Sequence, residues 1–373
     1  MPELYLGLIS GTSVDGVDAV LADLTDERCR IVAAQTTAFP PALRQRVVQL
    51  IETPMVSLAE LGSLDVALGR FFAECALALL SVAGRRPGEI RAIGQHGQTV
   101  YHKPTDPERF TMQIGDPSSI AALTGITTVA DFRRLDMAVG GQGAPMVPGF
   151  HGAMFSDPAE ARIVLNIGGI ANVTILAPGE RILGFDTGPG NTLLDFWMRT
   201  RLGASYDQGG KIAAAGTVVD ELLGALLDEP YFGLAAPKST GRELFNAAWL
   251  EQRLARCDKP LDPVDVLATL AELSAITISD AVAMTGVHAD RLIVCGGGAH
   301  NEHLLARLQQ RAGCPVESTA AHGIEPDWVE GAAFAWLAAA RLRKLGGNVP
   351  SVTGARQTVI LGGVYCGTEA ATS

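Results

Sequence analysis

The chain has 373 residues, of which 47% are hydrophobic and 18% charged, so we expect a large buried core divided between two domains and exclude extended disorder. A net charge of -11 argues against a nucleic-acid-binding surface, because such surfaces need clustered Lys and Arg. The six cysteines are scattered without C-x-x-C or zinc spacing, no basic leader precedes the first apolar run, and no uninterrupted apolar segment reaches the ~18 residues of a membrane span. These features predict a cytoplasmic protein without a membrane partner.

The first predicted element is a hairpin, LGLISGTSVDGVDAVL at 6–21, in which a polar loop joins two apolar runs. The loop and its rim contain two glycines, two hydroxyl residues and two acids, namely Gly11, Gly16, Thr12, Ser13, Asp15 and Asp18. Glycines let backbone N–H groups approach an anion, and hydroxyls add donors. The acids would repel a bare phosphate, but they suit a phosphate that carries a divalent cation. The loop therefore favours ATP with Mg²⁺; the alternative is a tight turn between two strands.

Alternating and amphipathic patterns then predict a strand at 30–38, helices at about 41–51 and 57–82, and a strand at 90–94. The polar run QHGQTVYH at 95–102 follows this strand directly, where α/β proteins often bind ligands. Within it, His96 is either a structural histidine or a substrate contact.

Two short strands are predicted next, at 112–116 and 127–131, followed by a glycine-rich loop that carries Arg133 and Arg134. These arginines could clamp a carboxylate, such as a lactyl acid, through bidentate hydrogen bonds. A solvated turn with ordinary surface arginines is the alternative.

The pattern restarts near residue 160, with strands predicted at 163–167, 172–176 and 182–185. IVLNIGGIANVTIL shares with the first hairpin the order strand, glycine loop, strand. This duplication predicts two lobes, 1–150 and 151–373, that face each other across a cleft and meet the phosphates with one loop each.

The third strand of the repeat ends at GFDTGPGN, 184–191, ahead of a helix predicted at 192–201. We expect Asp186 to leave a buried strand beside free N–H donors of the helix start. A carboxylate there can deprotonate a hydroxyl or a water, and phosphoryl transfer needs one residue that orients the nucleophile. Asp186 is therefore the candidate base; the alternative is an Asp that only hydrogen-bonds the adjoining turn.

The region 211–284 is predicted to be mainly helical and structural. A strand at 291–295 then leads through Gly296, Gly297 and Gly298 into a helix ending near 312, and a ribose or a flat ring could lie against this glycine backbone. The last predicted helix, from 327 to about 345, carries Glu330, which is either a helix-dipole partner or a second carboxylate in a sugar site.

Five motifs resemble, in order, those of the anhydro-N-acetylmuramic acid kinase family, within the superfamily of acetate and sugar kinases, heat-shock 70 proteins and actin. They are GTSVDGVD (11–18), GQHGQTVYH (94–102), LNIGGIANVT (165–174), GFDTGPGN (184–191) and CGGGAHN (295–301). The resemblance implies a two-domain α/β fold of the actin-like ATPase (ribonuclease H-like) type, with duplicated βββαβα units around a nucleotide cleft.

The resemblance also implies a cytoplasmic enzyme of cell-wall recycling. Such an enzyme uses ATP and water to open the 1,6-anhydro ring of anhydro-N-acetylmuramic acid and phosphorylates O6, giving N-acetylmuramic acid 6-phosphate and ADP. It implies ATP with Mg²⁺, no assigned metal ligand, an amino-sugar substrate and a homodimer.

Carried onto this sequence, the resemblance assigns Asp186 as the base. It assigns ATP binding to Gly11, Thr12, Ser13, Val14, Asp15, Gly16, Val17, Asp18, Gly168, Gly169, Gly296, Gly297 and Gly298. It assigns the sugar to His96, Gln98, Arg134 and Glu330. Two alternatives remain open: an ordinary sugar or acid kinase that uses no hydrolytic water, and an ATP-binding switch or filament protein of the same fold.

Overall fold

The computed structural model describes residues 2–11, 14–105 and 107–367, and the chain divides into two compact units. Unit 1 comprises Met1–Met154 and Trp328–Ser373, and unit 2 comprises Phe155–Asp327. The division differs from the predicted lobes, 1–150 and 151–373, because the last helices and the last strand pack with the N-terminal sheet.

The strands of both units follow in chain order. They are β1 (Leu4–Ser10), β2 (Gly16–Asp23), β3 (Arg30–Ala38), β4 (Ile90–Lys103), β5 (Phe110–Ile114), β6 (Thr128–Ala130), β7 (Arg162–Ile167), β8 (Ile170–Leu176), β9 (Leu183–Pro189), β10 (Arg291–Cys295), β11 (Val316–Ser318) and β12 (Gly363–Tyr365).

The α-helices connect and cover these strands. They are α1 (Pro41–Glu52), α2 (Leu58–Val82), α3 (Pro117–Thr124), α4 (Arg134–Ala138), α5 (Pro148–Phe155), α6 (Thr192–Trp197), α7 (Lys211–Ala215), α8 (Asp220–Leu227), α9 (Ala247–Leu254), α10 (Pro263–Ala283), α11 (Glu302–Ala312), α12 (Val329–Leu342) and α13 (Pro350–Thr353).

The two sheets share one topology. In unit 1 the order is β3-β2-β1-β4-β6-β12, with β5 also paired to β4. Strands β1 to β3 are antiparallel neighbours, whereas β4 is parallel to β1 and β6 is parallel to β4. In unit 2 the order β9-β8-β7-β10-β11 repeats this arrangement of three antiparallel strands and two parallel additions. The repeat confirms the predicted fold class, a duplicated α/β fold of the actin-like type.

Both faces of the unit 1 sheet are buried, which explains the nearly continuous apolar sequence of β1. Leu4, Leu6 and Leu8 pack in the cluster that includes α2, while Tyr5 and Ile9 pack in the cluster that includes α12. Helix α12 approaches the sheet closely because β1 and β4 present glycines there: a Cβ on either strand glycine would overlap the α12 backbone. This contact makes α12 part of unit 1, although it follows unit 2 in the chain.

Two strands run further than their sequence patterns predicted. Strand β4 continues through Lys103, so the polar run 95–102 lies inside the strand, because it pairs with β1 on one side and β5 on the other. Strand β9 continues through Pro189, which places Asp186 within the strand rather than at its end.

The core of unit 2 is organised on α10, whose residues contribute to both hydrophobic clusters of this unit. Among the described residues, α10 alone is long and apolar enough to cross a membrane, and 78% of its most apolar window is buried inside the protein. Because a core helix has the same length and composition, α10 gives no support for a membrane span.

Candidate active site

Three contacts from one segment of unit 2 fix Asp186. The backbone N–H of Thr240 donates to Asp186 Oδ2 (3.0 Å), and the backbone N–H of Asp186 donates to the Lys238 carbonyl (3.1 Å). The Tyr231 hydroxyl donates to the Asp186 carbonyl (2.7 Å). Within the described part of the chain, Asp186 Oδ1 receives no hydrogen bond, so this oxygen can take a proton from a ligand or a water.

The surroundings of Asp186 strengthen it as a base. Burial raises its pKa from 3.8 to about 6, the nearby Glu243 charge acts in the same direction, and the N–H of Thr240 opposes both. A carboxylate with a pKa close to neutral holds a proton more strongly than an ordinary Asp while staying ionised at pH 7. The carboxylate is therefore suited to general base catalysis.

Lys238, whose carbonyl accepts the N–H of Asp186, is buried against Tyr231. Its Nζ donates to the Tyr231 and Phe232 carbonyls (3.3 and 3.1 Å) and lies 4.8 Å from the Tyr231 ring centroid. Burial lowers the pKa of Lys238. Sequence analysis did not single out Tyr231, Lys238 or Thr240, because each is far along the chain from Asp186 and no local pattern connects them.

Two of the predicted glycine loops come together in unit 2. Gly168 follows β7 and Gly296 follows β10, and these strands are parallel neighbours with Asn166 opposite Cys295. A Cβ on Gly296 would overlap the Asn166 side chain, which shows how closely the loops approach. The N–H of Asn191, at the start of α6, donates to the Gly168 carbonyl (2.8 Å). The loops therefore present glycine backbone at the carboxyl ends of adjacent parallel strands, where such folds bind ligands.

The first predicted phosphate loop lies in unit 1, and its Thr12 and Ser13 lie outside the described residues. Val14 has a positive φ of 54°, and its carbonyl accepts a hydrogen bond from Arg44 Nε (2.9 Å). Asp15 is exposed and forms a 3.4 Å ion pair with Arg44. In this loop the exposed carboxylate is thus available to solvent and to ions.

The remaining residues that were predicted to bind ATP in unit 1 belong to β2. Gly16, Val17 and Asp18 all lie in the strand, and the Val17 side chain is fully buried in the core. Asp18 Oδ1 accepts a hydrogen bond from Thr36 Oγ1 (2.6 Å). Only the backbone of Val17 could reach a nucleotide, since its side chain is packed inside unit 1.

A second cluster in unit 1 joins His96 to an arginine. Arg133 Nε donates to His96 Nε2 (3.0 Å), and Arg133 Nη1 donates to the Gly143 carbonyl (2.7 Å). Because Nε2 accepts, His96 carries its proton on Nδ1, which lies 2.8 Å from the Gly97 carbonyl. Burial, together with the Arg133 charge, lowers the pKa of His96 to about 3, so the ring is neutral at pH 7.

Arg133 is also electrostatically coupled to Glu330 on α12. Burial lowers the pKa of Arg133 to about 10, while the Glu330 charge raises it. The guanidinium therefore stays protonated at pH 7. His96, Arg133 and Glu330 form one polar cluster of unit 1.

The other two predicted sugar residues lie in different surroundings. Gln98 is fully buried, accepts a hydrogen bond from Ser10 Oγ (2.6 Å) and donates to the Gly11 carbonyl (3.4 Å), so it supports the first loop. Arg134 is 66% exposed and pairs with Asp131 (3.0 Å). Adjacent residues at a helix start point in different directions, and it is Arg133, not Arg134, that reaches the His96 cluster.

Among the described residues, no group of three or more His, Cys, Asp or Glu side chains could hold a metal ion. A divalent cation that is carried by nucleotide phosphates does not need such a group, because it keeps several waters and uses phosphate oxygens as ligands.

Comparison with known proteins identifies the family. The family model described as anhydro-N-acetylmuramic acid kinase matches residues 3–367. The anhydro-N-acetylmuramic acid kinase of Pasteurella multocida (strain Pm70) is 51% identical over 365 residues, which cover 97% of this chain and 96% of the relative.

Solved structures with a similar arrangement have low identity. One is an activator of the 2-hydroxyisocaproyl-CoA dehydratase from Clostridium difficile, with a TM-score of 0.48 and 14% identity, covering 91% of this chain and 97% of that chain. Another is a ROK hexokinase from Thermus thermophilus, with a TM-score of 0.37 and 17% identity, covering 90% of this chain and 99% of that chain. The sequence matches, which extend over nearly the whole chain, confirm the resemblance of the five motifs: this chain belongs to the anhydro-N-acetylmuramic acid kinase family.

Proposed function

We propose that the protein opens the 1,6-anhydro ring of anhydro-N-acetylmuramic acid with water and transfers the γ-phosphoryl group of ATP to O6. The products are N-acetylmuramic acid 6-phosphate and ADP. The observation that carries this proposal is Asp186, a half-buried carboxylate with one oxygen fixed, the other without a donor among the described residues, and a pKa of about 6. It is joined by a whole-length match to the family.

Asp186 would act on the attacking water. Its carboxylate takes a proton as the water oxygen bonds to C1 of the sugar, and the C1–O6 bond breaks. O6 then bonds to the γ-phosphorus while the bond between that phosphorus and the β,γ-bridging oxygen breaks, leaving ADP. The proton on Asp186 returns to solvent. Catalysis rests mainly on positioning and charge stabilisation, as in other phosphoryl transfers.

The cluster of Arg133, His96 and Glu330 would bind the sugar. Arg133 remains charged, and its guanidinium can donate to the lactyl carboxylate of the substrate. The neutral His96 holds Arg133 Nε in place. Replacing Arg133 by Lys should raise the KM for the sugar at least tenfold, whereas the same change at the exposed Arg134 should have little effect; equal effects would argue against this assignment.

The glycine loops would bind ATP. The backbone at Gly168, Gly169 and Gly296–Gly298 offers close approach to phosphate and adenosine, with the loop at Gly11–Asp18 as the second phosphate contact. We propose Mg²⁺ as the ion carried by the phosphates, with the exposed Asp15 as a residue that can face its waters. A cytoplasmic homodimer is part of the same proposal, and light scattering on the purified protein would test the dimer.

The reaction is tested by sugar-dependent ADP release with ATP, Mg²⁺ and 1,6-anhydro-N-acetylmuramic acid in H₂¹⁸O. The product should carry one ¹⁸O at C1. Because a free reducing sugar exchanges this oxygen, unlabelled N-acetylmuramic acid 6-phosphate in the same water provides the exchange control. Label above this control supports the hydrolytic reaction.

Two results would refute the proposal. Efficient phosphorylation of N-acetylmuramic acid or glucose, without turnover of the anhydro sugar, would indicate an ordinary sugar kinase. ATP-dependent sedimentation, without any sugar-dependent ADP release, would indicate a filament protein.

A further inference from the structure

The segment that holds Asp186 continues past the loop of unit 2 that contains Gly168 and Gly169. A Cβ placed on Gly169 would lie 3.9 Å from Arg242 Nη2 and 3.8 Å from Thr192 Cβ, and no other described atom outside its chain neighbours is as close. The guanidinium of Arg242 thus borders an open space in front of Gly169. A similar space lies at Gly297, where the nearest atom to such a Cβ would be Asn191 Nδ2 at 3.9 Å.

Arg242 has no hydrogen-bond acceptor or ion-pair partner among the residues that the structure describes. Several other arginines of unit 2 are paired, among them Arg253 with Glu229 and Arg256 with Asp228, each at 3.0 Å. Arg181 and Arg199 also have no such partner among the described residues, but neither comes within 4 Å of a Cβ placed on Gly169. The next residue, Glu243, does not pair with Arg242, because its carboxylate folds back towards Gly241. An exposed guanidinium that has no partner within the described part of the chain therefore faces the space at Gly169.

The same short segment connects this guanidinium to the proposed base. Thr240, whose N–H holds Asp186 Oδ2, is two residues before Arg242. The Thr240 hydroxyl is buried without a hydrogen-bond partner among the described residues, so the side of the segment next to Asp186 also has an unused polar group. The segment therefore places one donor at the carboxylate and a positive charge at the glycine loop.

We infer that Arg242 binds the γ-phosphoryl group during its transfer, an inference that rests on the proposed function. A guanidinium presents several N–H donors in one plane and pairs with phosphoryl oxygens in bidentate fashion. The transferred group carries its charge on three equatorial oxygens, and an arginine that contacts them is worth roughly 10³–10⁵-fold in rate in other phosphoryl-transfer enzymes. Arg242 is therefore a catalytic residue that stabilises the negative charge of the transferred phosphoryl group, while Asp186 accepts the proton of the attacking water.

The test compares Arg242→Ala and Arg242→Lys with Arg256→Ala, which removes the same charge from another exposed arginine of unit 2. We expect Arg242→Ala to lower kcat at least about 100-fold, with the KM for the sugar within about twofold of wild type. Arg242→Lys should keep part of the rate, because the charge remains but the planar pair of donors is lost. Arg256→Ala should behave like wild type.

Chemical rescue separates a direct role from a structural one. Guanidinium ion added below denaturing concentrations should restore part of the activity of Arg242→Ala and none of the activity of Asp186→Asn. Thermal melting should show that Arg242→Ala is folded, since the side chain is exposed.

Two outcomes overturn the inference while leaving the proposed function intact. The first is an unchanged kcat in Arg242→Ala. The second is a KM for the sugar raised tenfold or more with kcat preserved, which would assign Arg242 to the lactyl carboxylate. Failure of the proposed function is seen separately, as wild-type protein without sugar-dependent ADP release.

Discussion

Replacing Asp186 by Asn tests two effects of its negative charge: the loss of folding stability that the charge causes, and its role as a base in the reaction. Asparagine has nearly the same shape, and its Oδ1 can still accept the N–H of Thr240, which lies 3.0 Å from the native carboxylate. The substitution therefore removes the charge and the proton-accepting function while keeping the hydrogen bond. We expect a protein that is more stable than wild type above pH 6 and whose turnover is about 10²–10⁴-fold lower.

The size of the stability gain follows from the pKa. The pKa of Asp186 rises from 3.8 to about 6 on folding, chiefly through burial. Each unit is worth about 1.4 kcal/mol, so ionisation lowers the free energy of unfolding by up to about 3 kcal/mol. Because the pKa is raised, this loss is absent below 3.8 and complete above about 6. The side chain is only half-buried, so solvent screening reduces the expected gain in Asp186→Asn to about 1–3 kcal/mol.

Urea unfolding of both proteins between pH 4 and pH 8 measures this difference, which should grow through that range and level off above pH 6. Asp228→Asn is the control, since that carboxylate is 65% exposed and its surface ion pair is worth at most about 1 kcal/mol. In the ADP-release assay, loss of a general base should cost about 10²–10⁴-fold, and wild-type kcat/KM should fall as the pH drops below about 6. Near-normal turnover in Asp186→Asn, or a stability difference independent of pH, would refute this reasoning.

Two further predictions concern the fold. Gly7→Ala should lower the free energy of unfolding by about 1–3 kcal/mol, because its Cβ would overlap the α12 backbone. The control is Gly62→Ala on α2, where a Cβ meets no atom within 4 Å. Urea unfolding should show that this control is more stable than wild type by about 0.5–1 kcal/mol. Glu272→Gln should lose about 1.5–3 kcal/mol at pH 7, since the buried carboxylate accepts 2.6 Å hydrogen bonds from two arginines of α11, and Glu302→Gln on the surface of α11 should lose little. Burial opposes ionisation of Glu272 but the two arginines lower its pKa below 4.5, so the deficit of Glu272→Gln should persist at pH 5 and narrow only below pH 4.5.

The positions of the strands along the chain could be predicted where the sequence pattern is local. The alternation in RIVAAQTTA predicted a strand at 30–38, and the apolar run RLIVC predicted one at 291–295; both have these bounds in the structure. The restart near residue 160 predicted the duplicated unit, because a second glycine hairpin has its own sequence signal. Such elements are determined by side-chain periodicity over a few residues.

The strand ends and the unit boundary depend on distant contacts instead. A polar residue such as Gln98 ends an apolar pattern, yet its strand continues because Ser10 and Gly11 satisfy the side chain and β5 pairs with the backbone. The small residues of α12 show that it packs closely on something, but they do not say on which sheet. Sequence periodicity therefore could not place 328–373 in unit 1.

In the candidate site, too, the sequence could identify a residue but not the contacts that determine its chemistry. Asp186 could be chosen from the sequence, since a carboxylate beside Gly-Pro-Gly is a local signal. Its strength as a base could not, because burial and the Thr240 N–H are supplied by a segment more than fifty residues further along the chain. Choosing between Arg133 and Arg134 likewise required the fold, since a helix start turns two adjacent arginines to different surroundings. The chemistry of this site is thus encoded in pairs of distant segments, and substitutions in 231–243 should change the pH dependence of a base that they do not replace.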